Sequence, residues 1–276
     1  HILQQKKIKS QCFVNADASK KKCELAGFDT IKFNLDECDV GLNEKIKSTF
    51  IHSTLAYLAP PQAKGKTDLR MANFIAMLET LNAPPEKIIL ISTTGVYGDC
   101  QGQWIDETQP LNPQADRAHR RVSAETQLQK YCNNKQVQYI ILRVPGIYAA
   151  DKLPLKRITS GEPIVSAADS GFTNRIQADD LSAFCVEALV DDVASGIYNC
   201  CDGNPSTMND YFMKVADAMN LSRPEEISLL QAKKELSAGM LSYLAESKRI
   251  SNKKLLTHFK TKFKYKNLDA GLKNLN

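Results

Sequence analysis

The sequence predicts a doubly wound α/β protein: a parallel sheet with helices on both faces, followed by a small, mostly helical C-terminal lobe. Three observations carry this. Short apolar stretches alternate with helix-length segments through the first 200 residues. The stretches are rich in β-branched residues without polar alternation, as in Ile88-Ile89-Leu90-Ile91, which marks strands buried on both faces. After about Tyr148 the pattern loosens into short helical segments joined by Pro-rich and polar connections.

Taken in order, residues 1–7 read as the last turns of a helix, and Gln11-Cys12-Phe13-Val14 as the strand it leads to. Strands are expected over 10–14, 30–34, 49–58, 87–92, 137–144 and 196–200, with the first four adjacent in one sheet. Helices are expected over 18–26, 68–81, 117–133 and 180–190; Pro84 and Pro85 end the second, and Lys87 opens the next strand. The lobe should hold short helices over 153–161, 207–219, 229–238 and 251–259, with Ser206 or Thr207 capping one after the turn Asp202-Gly203-Asn204-Pro205. The expected division is a core over 1–148 and a lobe over 149–276, with 174–200 returning to the core sheet.

Composition narrows the function classes. With 43% hydrophobic residues in 276, the chain can bury a sizeable core, and no apolar run reaches the roughly 18 residues a membrane span needs. The opening segment lacks the apolar stretch and cleavage site of a signal peptide. Cysteines 12, 23, 38, 100, 132, 185, 200 and 201 form no C-x-x-C pair and no zinc-type cluster with His, so no metal site is expected; scattered thiols suggest a reducing, cytoplasmic setting. Cys200 and Cys201 should point to opposite faces of a strand. The net charge of +5 gathers between Ser247 and Lys266, where eight Lys/Arg meet no acid. There Lys262-Phe263-Lys264-Tyr265-Lys266 alternates as an edge strand with outward lysines would, rather than as a nucleic-acid surface.

A dinucleotide-binding sheet opens with a strand, a Gly-rich turn and a helix N-terminus that receives the pyrophosphate. No glycine precedes Gly27, and the chain starts without Met. The expectation is that about twenty residues carrying that strand and turn stand upstream of His1, since neighbouring strands would otherwise lack partners; a degenerate cofactor site is the alternative.

Several segments resemble one family in the correct order along the chain. They are Ile88-Ile-Leu-Ile-Ser-Thr-Thr-Gly-Val-Tyr-Gly98 with Asp106-Glu107, then Leu142-Arg143-Val-Pro-Gly-Ile-Tyr148, Asn174-Arg-Ile-Gln-Ala-Asp-Asp-Leu181, Gly196-Ile-Tyr-Asn199, and Arg249-Ile-Ser-Asn-Lys253. Together they are similar to the extended short-chain dehydrogenases, the NAD-dependent epimerase/dehydratase family, in an atypical branch. The resemblance implies a Rossmann-like core, NAD or NADP as cofactor, and a small-molecule substrate such as a sugar nucleotide or a related alcohol or ketone. It implies neither nucleic acid nor membrane as partner, and leaves a homodimer open.

By the same resemblance Thr93 takes the family's Ser/Thr position, just beyond the carboxyl end of its strand, where ligands of open parallel sheets bind. Leu58, Ala59 and Pro60 fall where the cofactor's ribose and nicotinamide would pass; Asn34, Ser92, Arg121 and Gly146 are further cofactor-binding candidates. Asn15 or Asp17 stands where the adenosine ribose would be read. An acid there favours NAD, whereas Lys20-Lys21-Lys22 would suit the extra phosphate of NADP. The family's Tyr-x-x-x-Lys pair is the departure. Counting back from Ala124-Glu125 puts Arg117 at the Tyr place and Arg121 at the Lys place. Four-residue spacing keeps them on one helix face, but a guanidinium stays charged and cannot shuttle a proton as a phenol does. Arg121 could still bond ribose hydroxyls; Tyr97, near Thr93, is either a better substitute acid/base than His119, which turns away from Arg117, or a packed loop aromatic. The family's substrate-binding Arg aligns with Thr173, two residues before Arg175. Two functions follow: an oxidoreductase or epimerase with a rearranged acid/base, or an NAD(P)-binding regulatory or scaffold protein without turnover. The single Trp104 is expected on a loop over the cleft.

Overall fold

The computed structural model describes residues 1–37, 44–237, 239, 241 and 244–275, with Lys45 as backbone alone. Cys38 and Ala238, named above, lie outside the described residues. The chain runs α1 (Ile2–Gln5), β1 (Gln11–Val14), α2 (Asp17–Leu25), β2 (Asp29–Lys32), α3 (Glu44–Ser48), β3 (Thr54–Tyr57), α4 (Leu69–Glu79) and β4 (Lys87–Thr93). After the 3-10 turn Thr94–Tyr97 come β5 (Trp104–Ile105), α5 (Asp116–Lys135), β6 (Gln138–Val144), β7 (Gly146–Tyr148), α6 (Leu155–Thr159), β8 (Ile164–Val165), β9 (Phe172–Thr173) and β10 (Arg175–Gln177). The rest comprises α7 (Ala178–Val190), β11 (Gly196–Asn199), β12 (Ser206–Thr207), α8 (Met208–Ala218), β13 (Glu226–Ile227), α9 (Leu229–Glu235), β14 (Arg249–Ile250) and the short helices Lys253–His258 and Leu268–Leu272.

The central sheet has the order β11-β6-β4-β3, all parallel. Parallel neighbours need long crossovers, and α4, α5 and α7 lie in them. Ile88 and Leu90 pack with Met71 and Phe74 of α4 and Leu128 of α5, whereas Ile89 packs with Phe184 and Ala188 of α7. Both faces of β4 are therefore buried, which is why it is apolar along its length.

Two expectations need correction. Residues 49–58 are not one strand: Glu44–Ser48 coil into α3, His52 takes a positive φ of 51°, and strand geometry begins only at Thr54. Nor do the first four strands form one ladder. β1 and β2 pair in a separate two-stranded sheet, and among the described residues no ladder joins β1 to β3. Phe13 of β1 still reaches the shared core, its ring 4.8 Å from that of Phe50.

Beyond β6 the chain builds a second cluster from Tyr148, Ile158, Ile164, Phe212, Val215, Leu268 and Leu272. Segment 174–200 returns in two steps: β10 pairs with β7 outside the central sheet, and β11 then joins β6. Residues 262–266 are not an edge strand. Their exposure alternates, but the N–H groups of Lys264 and Tyr265 donate to the Asp180 carboxylate at 2.7 and 3.0 Å, and those of Lys260 and Thr261 to Glu187 at 2.6 and 2.7 Å. Cys200 joins the Ile140 cluster and Cys201 the Tyr97 cluster, so their side chains do diverge. Burial pushes the thiols of Cys132, Cys185 and Cys201 up to about 12. No described helix is long and apolar enough to cross a membrane.

Candidate active site

Thr93 ends β4 and caps the 3-10 turn, its Oγ1 accepting from the Gly95 N–H at 3.2 Å. Strand register sets it beside Val144, two residues before Gly146. A Cβ on Gly95 would lie 3.5 Å from Thr93 Oγ1 and 3.9 Å from the Ala118 Cβ, so the start of α5 abuts this turn. Arg117 and Arg121 stand on either side of Ala118 in α5, both half-buried. Arg121 Nη1 donates to the Ala59 carbonyl at 3.3 Å, bringing it to the loop that leaves β3.

Two expected site residues lie beneath this surface. Ser92 points to the opposite face from Thr93, is buried, and donates to the Glu125 carboxylate at 2.5 Å. Tyr97 is 0% exposed, packed with Val96, Ile105 and Ile250. Its hydroxyl donates to Asn199 Oδ1 at 2.8 Å and accepts from Arg143 Nη1 at 2.9 Å. Burial pushes this phenol up to about 12 against the pull of the Arg143 charge, so it is a poor acid/base near neutrality. Arg143 forks onto Glu125, its Nη2 at 2.7 Å, which more than offsets the burial working against its charge. Glu107 accepts the Asn199 N–H at 2.7 Å and so ties the Asp106-Glu107 loop to β11. The chain Ser92–Glu125–Arg143–Tyr97–Asn199 thus fixes β4, α5, β6 and β11 against one another.

The β3 side is gathered by Arg70, which the sequence reading passed over. It forks onto Asp36 at 2.6 Å through both Nε and Nη2 and donates Nη1 to the Pro60 carbonyl at 2.9 Å. That brings the loop after β2, with Asn34, to the loop Leu58, Ala59 and Pro60. Asn15 and Asp17 stand after β1, both exposed, and Asp17 pairs with Lys32 at 2.9 Å. Asp68 caps α4 by accepting from Met71 N–H at 2.9 Å, but its buried Oδ2 and the buried Tyr57 hydroxyl have no hydrogen-bond partner. Burial raises the Asp68 carboxyl and the Tyr57 phenol, and the nearby Arg121 charge pulls both down.

Gly146 is exposed, and a Cβ on it would collide with Arg175 Nη1. His119 is half-buried on α5. Trp104 is 54% exposed and sits on β5, paired with β14 beside Arg249, rather than on a free loop. Two open surface grooves of about 460 and 400 Å³ include none of Thr93, Arg117, Arg121 or Gly146; the strand ends, where parallel sheets place their ligands, are the better guide.

The model of the NAD dependent epimerase/dehydratase family matches residues 54–201. The chain belongs to that family. Similar solved structures include a conserved protein of unknown function from Silicibacter pomeroyi (23% identity, TM-score 0.75, 95% of this chain and 87% of that one). A second is the UDP-glucose 4-epimerase of Thermus thermophilus in complex with NAD (20%, 0.72, 99% and 91%). A third is the UDP-glucose 4-epimerase of Thermotoga maritima with UDP-glucose (16%, 0.78, 99% and 91%). At such identities the likeness is one of fold. A search of curated proteins found no match.

The family's cofactor, NAD or NADP, can be tested against this chain's own atoms. The nicotinamide half fits: Arg121 and Ala59 meet beyond β3, and the Arg121 charge acts on two groups with buried oxygens that have no hydrogen-bond partner, Tyr57 and Asp68. For the pyrophosphate, residues 1–26 contain no glycine and so no Gly-rich turn.

Proposed function

We propose that this chain is an NAD(P)-linked epimerase- or dehydratase-type oxidoreductase whose acid/base pair is replaced by Arg117 and Arg121, acting on a sugar nucleotide or a related alcohol or ketone. The supporting observation is the placement of both arginines on the turn of α5 that abuts Thr93, with Arg121 bonded to Ala59. A bound nicotinamide would supply the hydride acceptor. Thr93, whose hydroxyl accepts from Gly95, keeps its proton for a substrate oxygen. Arg121 is suited to ribose hydroxyls, and Arg117 to an anionic or developing negative charge; neither can take up a proton.

The burial of Tyr97 favours the alternative, an NAD(P)-binding regulatory or scaffold protein. A positioned acid/base contributes about 10² to 10⁴ in rate, and no such group is evident beside Thr93 among the described residues. The deciding assay is NADH formation over sugar nucleotides and simple alcohols by wild type and by Arg117→Tyr combined with Arg121→Lys. Feeble wild-type turnover that rises in the double variant supports the arginine replacement. Binding of NADH, measured by calorimetric titration, with no turnover in either protein supports the alternative. Vigorous wild-type turnover with a tyrosine-like pH profile overturns the assignment of Arg117.

A further inference from the structure

We propose that Cys12 and Cys23 form a redox modification site, where a hydroperoxide converts the two thiols into an intramolecular disulfide that pins α2 to β1. The strand sets one partner. Phe13 turns its ring to the core beside Phe50, so Cys12 next to it faces the other side of the strand. The crossover sets the second. α2 links the parallel strands β1 and β2 and lies over one face of that pair. Along α2 only Lys20 and Cys23 are half-buried, three residues apart on one helix face, and Leu25 is left 80% exposed. Cys23 is therefore what α2 presents to β1, and its thiol is hydrogen-bonded to that of Cys12. Side-chain rotation brings two thiols in such contact together with both backbones in place.

The pair stands apart from the other described cysteines. Cys100, Cys132, Cys200 and Cys201 are buried, and burial pushes the Cys185 thiol up to about 12, so these are inert. Cys12 and Cys23 are both half-buried and within reach of a small oxidant. Burial raises the Cys12 thiol above an ordinary one, and the Cys23 sulfur beside it adds to the rise. Cys12 thus keeps its proton, and oxidation starts at Cys23. The Cys23 sulfur takes one oxygen from hydrogen peroxide, becoming a sulfenic acid as water leaves. The Cys12 sulfur then attacks it, the S–O bond breaks, and the hydroxyl departs with the Cys12 proton as a second water. Both thiols are oxidised, the peroxide is reduced, and a dithiol reductant reverses the change. The bond matters because α2, nine residues long with no buried side chain, is marginal by itself. Closing it fixes the turn between the two elements, where Asn15 and Asp17 stand.

The test exposes the full chain to a few equivalents of hydrogen peroxide, counts free thiols in denaturant and locates the bond by peptide mass spectrometry. Wild type should fall from eight free thiols to six, with Cys12 and Cys23 in one linked peptide pair, and dithiothreitol should restore the count. Cys12→Ser and Cys23→Ser should each form no disulfide within the chain. Amide hydrogen exchange across α2 should slow about tenfold or more in the oxidised wild type, with α5 unchanged. Should either serine variant fail to fold, the peptide map and the exchange rates of wild type decide the matter alone. A count that stays at eight, a bond between other cysteines or between two chains, or exchange in α2 that does not slow overturns the proposal.

Discussion

Arg143 and Arg175 are buried almost alike, at 3% and 7% exposure, yet their surroundings treat the charge in opposite ways. Arg143 meets Glu125 through three of its hydrogen-bonding nitrogen–oxygen contacts and Tyr97 through a fourth. Arg175 meets a threonine hydroxyl, a thioether and an aromatic face, with no carboxylate of the described residues in contact. A desolvated charge that is fully bonded is a structural element, and removing one partner strands the other. A desolvated charge left partly unbonded in the native state is held there at a cost to stability. Burial alone does not separate these roles; the hydrogen-bond count at each nitrogen does.

The sharpest way to break this comparison is Glu125→Ala, which strands Arg143 and should lower unfolding free energy by about 3–5 kcal/mol in urea titrations. A loss under about 1 kcal/mol would remove the contrast between the two arginines. Next in size is Asp202→Asn. Burial pushes the Asp202 carboxyl up to about 7, with the Asn204 N–H and the Arg175 charge pulling down and Asp180 adding to the rise; Tyr148 faces the same group. A folded-state value above the unfolded one stabilises fully below about 4 and is lost as pH rises through about 7. The asparagine variant should therefore match wild type near pH 4 and exceed it by about 2–4 kcal/mol near pH 8. An unchanged difference across that range would mean that Asp202 stays ionised and compensates Arg175 after all.

Tyr97→Phe should cost about 1–3 kcal/mol, because it leaves Asn199 Oδ1 and Arg143 Nη1 without a partner, and should leave the pH profile of any turnover unmoved. The smallest expected effect is that of Arg175→Gln, within about 1 kcal/mol of wild type, since the lost ring contact is offset by relief of an unpaired charge. A loss near that of Glu125→Ala would show that Arg175 is structural too.

The sheet was legible because strands buried on both faces are apolar throughout, as at Ile88–Ile91, and a continuous run needs no partner to be recognised. The tail at Lys262–Lys266 shows the limit of periodicity. Alternation reports an extended backbone, but not where its N–H groups go, and here they go to carboxylates. Ser92 could have been placed from the sequence, since a strand neighbour of Thr93 must face the other way. Tyr97 could not: four residues after Thr93 it shares the loop in sequence, but the 3-10 turn carries its ring inward to Arg143. Arg70 escaped attention because its partner lies 34 residues away at Asp36, and Arg175 was placed only by its distance from the family's substrate-binding position, since no local pattern announces the β7–β10 pairing beside it.

The grip of Asp180 and Glu187 on the tail has a consequence for sequence change. Both carboxylates hold the main chain; Glu187 takes the Thr261 side chain as well, while the lysines beside them act only through their charge. Lys260, Lys262 and Lys264 can drift to other polar residues without loosening the hold, and the local charge can be rewritten with little structural effect. Proline is the exception at 260, 261, 264 and 265, for it alone lacks the hydrogen being held. Phe263, against the Phe184 ring at 4.8 Å, keeps its size. Variation along this tail should therefore be read as free in chemistry and strict in backbone.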